Sequence, residues 1–592
     1  MIENIIIEGL KKAIGSLFEA EVNEKQLQIQ KTRKDFEGDF TIVVFPLLKI
    51  TKKSPEESCK ALGDFLVNEL DEISDYNVIK GFLNLVISDD YWNTFLKSMD
   101  ADEKFGYQAE NSKETVVIEY SSPNTNKPLH LGHVRNILLG ASVADILKAN
   151  GYDAKRVNLV NDRGIHICKS MLAWQKFGND ATPESTEKKG DKLVGDFYVR
   201  FDKEHKAETQ LLVEKGIDKD DAAKQTPLLL EAQQMLKQWE AKDEQIRKLW
   251  EMMNAWVYAG FDITYKRMGI DFDKVYYESD TYLLGKSLVE KGLKEGVLFQ
   301  KEDGSVWADL KDEGLDEKLL LRADGTSVYM TQDLGTAKLR QDDYNASKLI
   351  YVVGNEQNYH FDVLARILRK LGFDWADHIH HLSYGMVELP HGKMKSREGT
   401  VVDADELMEE MFQTAKKLTL ELGKVDDFSE AEADNLYEMV GMGALKYFML
   451  KVDPMKNMLF NPEESVDFTG NTGPFIQYTH ARIQSLMRKA KAENIAFNVN
   501  ATSLLAKEKE VIRMLHDYPG ILDQAAEQLS PALIANYIYE LVKTYNQFYQ
   551  EVSIFKEDDT EKKEFRLALS KNTASTIESG MQLLGIQVPE RM

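Results

Sequence analysis

Hydrophobic residues in the N-terminal part of the chain recur first at helical spacing and then in short continuous runs. The spacing from Ile5 to Glu19 predicts an amphipathic helix. Two apolar runs of strand length follow, Phe40 to Phe45 and Gly81 to Ile87. Residues 1–112 are therefore expected to form a separate small α+β domain.

Residues 113–402 alternate between strand-like runs and helical patterns. This alternation is typical of an α/β domain with a parallel sheet. The stretch from about 170 to 275 is long, charged and mostly helical, which predicts a helical insertion into that domain. The candidate strands are Val116–Tyr120, Arg156–Val160, Leu349–Val353 and Leu382–Val387.

From Asp403 onward the pattern is helical throughout. Asp403 with Glu406 three residues later predicts a capping pair, and apolar residues follow at helical spacing. Only residues 451–473 read as an extended loop. Residues 403–592 are therefore expected to form an all-α bundle.

Net charge and composition limit the function classes. The chain has 592 residues, 43% of them hydrophobic, and a formal net charge of −24. This charge argues against nucleic-acid binding through the global electrostatic field, so an RNA partner would need local basic patches. Arg488, Lys489 and Lys491 form one such cluster, for which a solvated helix face is the favoured interpretation.

Two cysteines, Cys59 and Cys168, are too few for a structural zinc site or a disulfide framework. The N-terminus has no basic region followed by a long apolar region, and no apolar run approaches the roughly 18 residues of a membrane span. These features predict a cytoplasmic protein that binds neither zinc nor membrane.

The segment His130-Leu131-Gly132-His133 carries the strongest chemical signal. It lies between a predicted buried strand and a predicted helix, so free backbone N–H groups and the helix dipole would create an anion site. The two imidazoles can donate hydrogen bonds to phosphate oxygens, and Gly132 would let a nucleotide approach the backbone. This arrangement suits a reaction at the α-phosphorus of ATP.

A second basic segment, Lys393-Met394-Lys395-Ser396-Arg397, follows Gly392. Alone it is most simply a solvated turn. Combined with the paired histidines, in this order on a parallel sheet, it indicates a loop that closes over a polyphosphate.

These two motifs resemble the His-Ile-Gly-His and Lys-Met-Ser-Lys-Ser signatures of class I aminoacyl-tRNA synthetases. Residues 119–124, Asn161-Asp162 with Gly164, and the closing residues 588–592 resemble arginyl-tRNA synthetases in particular. The resemblance runs almost end to end. It implies a Rossmann-like catalytic domain at 113–402, an N-terminal domain that contacts the tRNA elbow and a C-terminal anticodon-binding bundle.

The resemblance also implies an arginine site formed by Glu119, Ser121, Asn124, Tyr329, Asp333 and Gln357. A guanidinium presents five donors in a planar fork and favours carboxylates, which agrees with two acids at sheet ends. For each acid alone, a helix cap or a surface charge is the alternative. That alternative is weak for Glu119, which interrupts an apolar strand, but open for Asp333, which could begin a helix from Leu334 to Arg340.

The same resemblance implies catalytic roles for His130, His133, Lys127 and Lys393, and ATP contacts from Pro123, His130, Gly132, His133, Met394, Lys395, Ser396 and Arg397. The motif departs at its fourth position, which is Ser396 instead of lysine. Many arginyl enzymes replace this lysine with one before the first motif, where Lys127 lies; an exposed loop lysine is the alternative. Arg163 also departs from the family's pattern, which has an aromatic residue at this position.

The implied reaction is activation of arginine by ATP with Mg²⁺, followed by transfer to the terminal adenosine of tRNA(Arg), with tRNA required for the first step. Tyr478, Arg482 and Met592 lie where the family contacts tRNA. A monomer is the expected form.

Two alternatives remain open. A small-molecule nucleotidyltransferase shares the paired histidines but would not need the helical C-terminal part, so truncation after about residue 400 should leave its activity. A non-catalytic RNA-binding relative would bind tRNA without ATP turnover, but intact His130, His133 and Lys393 argue against it.

Overall fold

Short antiparallel strands and amphipathic helices form the N-terminal region. The computed structural model describes residues 2–33, 35–388, 402–421, 427–501 and 503–592. Strands in the order β1-β2-β4-β3 form an antiparallel sheet. The elements are α1 (Ile2–Phe18), β1 (Gln28–Lys31), β2 (Phe40–Val43), α2 (Leu48–Thr51), α3 (Pro55–Glu69), β3 (Ile73–Ile79), β4 (Phe82–Ile87) and α4 (Asp89–Asp100).

The predicted helix and both predicted strands of this region are confirmed as α1, β2 and β4. Strand β2 is shorter than predicted, because a 3-10 turn begins at Phe45 and Pro46 cannot donate a backbone hydrogen bond. The polar strands β1 and β3 were not predicted, because most of their residues are exposed or half-buried and carry no apolar run. These elements belong to a unit formed by Met1–Phe105, Leu486–Asp517 and Lys543–Ser575.

A second unit comprises Gly106–Ser485, Tyr518–Val542 and Thr576–Met592. Its first elements are β5 (Thr115–Glu119), α5 (Leu131–Ala149) and β6 (Asp153–Val160). The predicted insertion is confirmed as a run of helices: α6 (Ile165–Phe177), α7 (Pro183–Thr186), α8 (Gly190–Glu214), α9 (Lys219–Lys224), α10 (Pro227–Glu240) and α11 (Glu244–Met268).

The chain then returns to the sheet and adds a small antiparallel sheet before its last parallel strands. The elements are β7 (Lys274–Tyr277), α12 (Glu278–Thr281), α13 (Leu284–Lys294), β8 (Phe299–Gln300), β9 (Val306–Ala308), β10 (Lys318–Leu321), α14 (Tyr329–Tyr344), β11 (Lys348–Gly354), α15 (Asn358–Lys370), β12 (Ile379–Tyr384) and β13 (Val387–Glu388). Strands β8 to β10 pack with helices α13 to α15 around an apolar cluster.

The central sheet is wholly parallel, with the strand order β12-β11-β5-β6-β7. The chain leaves β5 toward β6 on one side, and β11 later pairs with the other side of β5. The strand order therefore reverses between β5 and β11. Open α/β sheets bind ligands outside the carboxyl ends of the strands at this point.

Helix α5 is buried almost all around, and its mostly apolar sequence accounts for this burial. A Cβ atom at Gly140 would lie 2.4 Å from the Tyr120 side chain. Glycine at this position therefore lets α5 pack closely against the segment that follows β5. This contact fixes the helix that begins at the paired histidines.

One strand prediction is wrong in part. Residues 382–384 belong to β12, but the chain breaks at Gly385 and Met386 and continues as β13. Strand β13 pairs with β14 in a separate two-stranded sheet. Backbone hydrogen bonds to residues 454–458, distant in sequence, end the strand, and the local apolar pattern does not reveal them.

The C-terminal part is helical, as predicted. Its elements are α16 (Ala404–Glu421), α17 (Glu430–Leu450), β14 (Met458–Leu459), α18 (Pro462–Ser465), α19 (Gly473–Ala492), α20 (Ala506–Glu527), α21 (Pro531–Glu551) and α22 (Thr560–Leu583). The predicted loop at 451–473 contains the two short elements β14 and α18. Asp403 caps α16 as predicted, because its side chain accepts a hydrogen bond from the Asp405 N–H at 2.8 Å. Glu406 does not complete the predicted pair, because its side chain accepts from the Lys192 ammonium at 2.8 Å.

The last residues of the second unit comprise the end of α22, a turn at Leu584 and Gly585, and a stretch without regular secondary structure, and their carbonyl groups are bound at alternate positions. Leu583 accepts from the Ser142 hydroxyl at 2.7 Å and Gly585 from the buried Lys446 ammonium at 2.5 Å. Gln587 and Pro589 accept from buried side chains of α19 at 2.7 and 3.0 Å. We call residues 583–589 the C-terminal strap.

No helix among the described residues is long and apolar enough to cross a membrane.

Candidate active site

The paired histidines cap helix α5. The Nδ1 atom of His130 accepts a hydrogen bond from the Gly132 N–H at 3.1 Å, and Nδ1 of His133 accepts from the His130 N–H at 3.1 Å. The two rings lie with centroids 3.8 Å apart. These bonds satisfy N–H groups that a helix N-terminus otherwise leaves without partners. The sequence predicted the helix start here, but not that the histidines themselves would cap it.

Both histidines are neutral near pH 7. Burial lowers the pKa of His130 to about 4, with a further contribution from Lys127, and burial lowers the pKa of His133 well below its ordinary value. Because each Nδ1 accepts a hydrogen bond, the proton of each neutral ring belongs on Nε2. Each ring therefore has one N–H donor directed away from the helix cap.

Gly132 permits this arrangement of the rings. A Cβ atom there would lie 3.1 Å from the His130 ring, a contact that would require the ring to move. From the sequence, Gly132 is predicted to let a nucleotide approach the backbone. Its close approach to His130 is a second reason for glycine.

The segments on both sides of the second motif lie beside the start of α5. Beyond β13, residues 389–401 lie outside the described residues, and these include Lys393, Met394, Lys395, Ser396 and Arg397. On the far side, the Leu131 N–H donates to the Val402 carbonyl at 3.1 Å, and the Ala404 N–H donates to Leu129 at 2.9 Å. Residues 402–404 therefore lie directly against the first motif.

Arg135 of α5 binds the segment that precedes the second motif. Its buried guanidinium donates to the carbonyl groups of Gly385 and Met386, immediately before β13. It also donates to the carbonyls of residues 453, 454 and 456, just before β14. One side chain thus joins the helix of the first motif to both strands of the small β13–β14 sheet.

Two serines in left-handed conformation follow β5. Ser121 has φ 73° and Ser122 has φ 45°, values that few non-glycine residues adopt. Their N–H groups donate to the side chains of Asn136 at 2.6 Å and Asn158 at 3.0 Å. The hydroxyl of Ser121 is buried and bonded to Tyr265 at 2.6 Å. These contacts fix the sharp turn after Glu119.

Glu119 lies at the carboxyl end of β5 and is 7% exposed. Its Oε1 accepts from the Ser122 hydroxyl at 3.0 Å, and its Oε2 forms an ion pair with Arg340. Burial raises the pKa of Glu119, Arg340 and Ser122 oppose this effect, and Asp333 adds to it. The negative charge of Asp333 thus favours the neutral form of Glu119.

Helix α14 carries Tyr329 and Asp333. Because the helix begins at Tyr329, the alternative in which Asp333 starts a helix is wrong. Asp333 instead accepts a hydrogen bond from His360 Nε2 at 2.6 Å, and Tyr329 is 76% exposed. Gln357 is exposed after β11, and Asn124 is exposed where it bridges to Asn161. These side chains all follow the carboxyl ends of β5 and β11 or lie on the helix between them.

Glu278 is an acidic residue that the sequence did not single out. It lies just after β7, and burial raises its pKa to about 7, opposed by Arg163 and reinforced by Asp162 and Asp333. Arg163 itself lies 4.1 Å from the centroid of the Tyr282 ring. Only the position directly after a short, polar edge strand could have indicated Glu278.

The comparisons with known proteins agree with this geometry. The family model described as "tRNA synthetases class I (R), catalytic domain" matches residues 96–462. An arginine–tRNA ligase of Parabacteroides distasonis is 58% identical over 100% of this chain and 99% of its own length. The chain belongs to the arginyl-tRNA synthetase family.

Two more family models and further relatives extend the match. "Arginyl tRNA synthetase N terminal domain" matches residues 3–87 and "DALR anticodon binding domain" matches residues 476–592. An arginine–tRNA ligase of Flavobacterium psychrophilum is 55% identical, with 100% of both chains covered. The solved arginyl-tRNA synthetase of Thermus thermophilus has the same fold, with a TM-score of 0.79 at 24% identity and 100% of both chains covered.

The residues predicted to contact tRNA also belong to the second unit. Tyr478 and Arg482 lie on α19, with the guanidinium carbon 4.9 Å from the ring centroid, and both are half-buried. Met592 ends the segment that follows the C-terminal strap.

Pro123, which is predicted to contact ATP, is buried, and its carbonyl accepts a hydrogen bond from the Asn161 N–H at 2.9 Å.

Proposed function

We propose that this chain is an arginine–tRNA ligase that forms arginyl-adenylate from arginine and ATP and transfers the arginyl group to tRNA(Arg). The observation that carries the proposal is that Glu119 ends β5, Glu278 follows β7 and Asp333 accepts a hydrogen bond from a histidine beyond β11, all in the same sheet domain as the capped histidines. A socket lined by acids suits a cationic amino acid, while neutral imidazole donors suit phosphate oxygens.

The first step needs no enzyme nucleophile. The arginine carboxylate attacks the α-phosphorus of ATP, a phosphorus–oxygen bond forms, and the bond to pyrophosphate breaks. Nε2–H of His130 and His133 would hold phosphate oxygens, while Lys127 and Lys393 would neutralise charge on the leaving pyrophosphate. Catalysis then consists of positioning and charge stabilisation.

Mg²⁺ arrives as the counterion of ATP, held by phosphates and water more than by protein. Among residues that the structure describes, no group of three or more His, Cys, Asp or Glu side chains could hold a metal ion. In the second step, a hydroxyl of the terminal ribose attacks the carbonyl of the adenylate and AMP leaves. We propose that Tyr478, Arg482 and Met592 contact tRNA and that the protein acts as a cytoplasmic monomer.

Exchange of pyrophosphate into ATP, measured with each of the twenty amino acids with and without tRNA(Arg), tests this function. We expect exchange only with arginine and only with tRNA present. Exchange without any amino acid, retained after truncation at residue 400, would instead indicate a nucleotidyltransferase. tRNA binding without exchange would indicate a non-catalytic relative.

A further inference from the structure

Helix α14 carries a second charged residue that reaches the amino-acid site. We propose that Arg340 is a positioning residue, which holds Oε2 of Glu119 so that the carboxylate stays ionised and Oε1 remains available to a cationic substrate. This inference rests on the proposed function, because it requires Glu119 to contact arginine. Arg340 itself is 1% exposed, so it acts on the substrate only through Glu119.

The guanidinium of Arg340 is fixed from several directions. Its Nη1 donates to the Tyr351 hydroxyl at 3.2 Å, and its carbon lies 5.3 and 5.5 Å from the ring centroids of Tyr351 and Tyr276. Tyr276 belongs to β7 and Tyr351 to β11, while the ion-pair partner Glu119 ends β5. Three strands of the sheet domain thus converge on the one cation that α14 carries.

The spacing along α14 places Arg340 with Asp333. The two residues are seven positions apart, which is two helical turns and therefore the same face of the helix. Asp333 is proposed to contact the substrate directly, and it affects the charge of Glu119. The same face of α14 thus presents the Asp333 carboxylate toward the substrate and the Arg340 guanidinium toward Glu119.

A buried carboxylate without a partner takes up a proton, because burial penalises the charged form. The charged and titratable groups that face Glu119 are Arg340 and Asp333 from α14 and Tyr351 from β11. Arg340 is the one cation among these described neighbours. A protonated carboxyl group would lose its attraction for a guanidinium or ammonium group, so loss of Arg340 weakens arginine binding without altering the ATP site.

The ion pair still leaves Glu119 able to bind. A carboxylate has about four acceptor positions on its two oxygens, and Oε1 uses one for the Ser122 hydroxyl. Asp333 and Glu278 keep the site attractive to a cation. The pair with Arg340 therefore orients the acid without saturating it.

The test compares the full-length variants R340Q, Y351F and E119Q in tRNA-dependent pyrophosphate exchange between pH 6.5 and 9. We expect R340Q to raise the KM for arginine about tenfold at pH 7, which corresponds to about 1.4 kcal/mol of binding free energy, with the KM for ATP unchanged. Raising the pH ionises Glu119 again in R340Q. The ratio of the arginine KM of R340Q to that of the wild type should therefore fall toward one as the pH rises. Glu278 is present in both proteins and cancels in this ratio.

R156Q is the matched control. Arg156 of β6 also forms ion pairs in the sheet domain, with Asp145 and Asp271, and its side chain is 13% exposed. The R156Q substitution should lower the melting temperature without changing the KM for arginine or the KM for ATP. If R340Q does not fold, Y351F decides, because it removes the hydroxyl that orients the guanidinium and should raise the arginine KM about threefold, a loss of under 1 kcal/mol.

The outcomes separate this inference from the proposed function. A normal arginine KM in E119Q would contradict the proposed role of Glu119 itself. A raised arginine KM in E119Q with a normal value in R340Q, or in Y351F where R340Q is unfolded, would overturn only the role of Arg340. An R340Q effect that is equal at every pH would also overturn it, because a purely structural loss does not follow the charge of Glu119.

Discussion

The guanidinium of Arg135 donates a hydrogen bond to the backbone carbonyl of Gly385, which lies eight residues before Lys393 in the sequence. Arg135 is two residues beyond His133, so the contact joins the helix that begins at the first motif to the break between β12 and β13, which precedes the second motif. The same guanidinium also donates to the Lys456 carbonyl at 2.9 Å. A single buried side chain therefore links the helix of the first motif to the segment that precedes β13 and to the segment that precedes β14.

Replacing Arg135 by lysine should weaken this link while keeping the charge. A lysine ammonium offers three donors on one atom and cannot serve carbonyls on both segments, and each buried carbonyl left unpaired costs about 1–3 kcal/mol. We expect R135K to lower the melting temperature and to raise the KM for ATP more than the KM for arginine. R156K serves as the control for loss of a partly buried arginine. A lower melting temperature with a normal KM for ATP would show that Arg135 is structural only.

The sequence was sufficient for the parts of the site that depend on local pattern. An apolar strand, a short loop and an apolar helix predicted β5 and α5, and the histidines lie at their junction as expected. The left-handed serines, the partners of Arg135 and the Glu119–Arg340 pair depend on side chains distant in sequence. The periodicity of apolar residues indicates which face of an element is buried, but it does not indicate which polar groups bind one another. These contacts therefore could not be predicted.

Asparagine at position 130 should separate helix capping from phosphate binding. Asparagine is among the best N-cap residues, whereas alanine loses about 1 kcal/mol at such a position. We expect H130N to retain near wild-type stability and H130A to be less stable, with both losing most of the exchange activity because the Nε2–H donor is absent. Thermal unfolding and ATP exchange measure the two effects. Full activity in H130N would contradict a role for the imidazole in phosphate binding.

Arginine binding should depend on pH through Glu278. Its pKa is raised to about 7, so the carboxyl group is largely neutral at pH 6 and charged at pH 8. A cationic substrate is attracted by the charged form, so the KM for arginine should fall as the pH rises through 7. We expect E278Q to have a higher arginine KM and a flatter profile, with the KM for ATP as the internal control. A wild-type KM for arginine that stays constant between pH 6 and 8 would show that the charge of Glu278 does not affect arginine binding.

Two truncations should distinguish the C-terminal strap from the residues beyond it. Deleting residues 587–592 removes the carbonyls of Gln587 and Pro589, which accept from the buried side chains of Gln477 and His480. Each side chain left unpaired costs about 1–3 kcal/mol, so the melting temperature should fall by several degrees.

Deleting only residues 591–592 is the matched control, because all four strap carbonyls remain. We expect this protein to keep the wild-type melting temperature but to have a raised KM for tRNA(Arg), since Met592 is proposed to contact tRNA. Differential scanning calorimetry and aminoacylation kinetics measure the two properties separately. Equal loss of melting temperature in both truncations would contradict the assignment of stability to the strap, and an unchanged KM for tRNA in the shorter deletion would contradict the role of Met592.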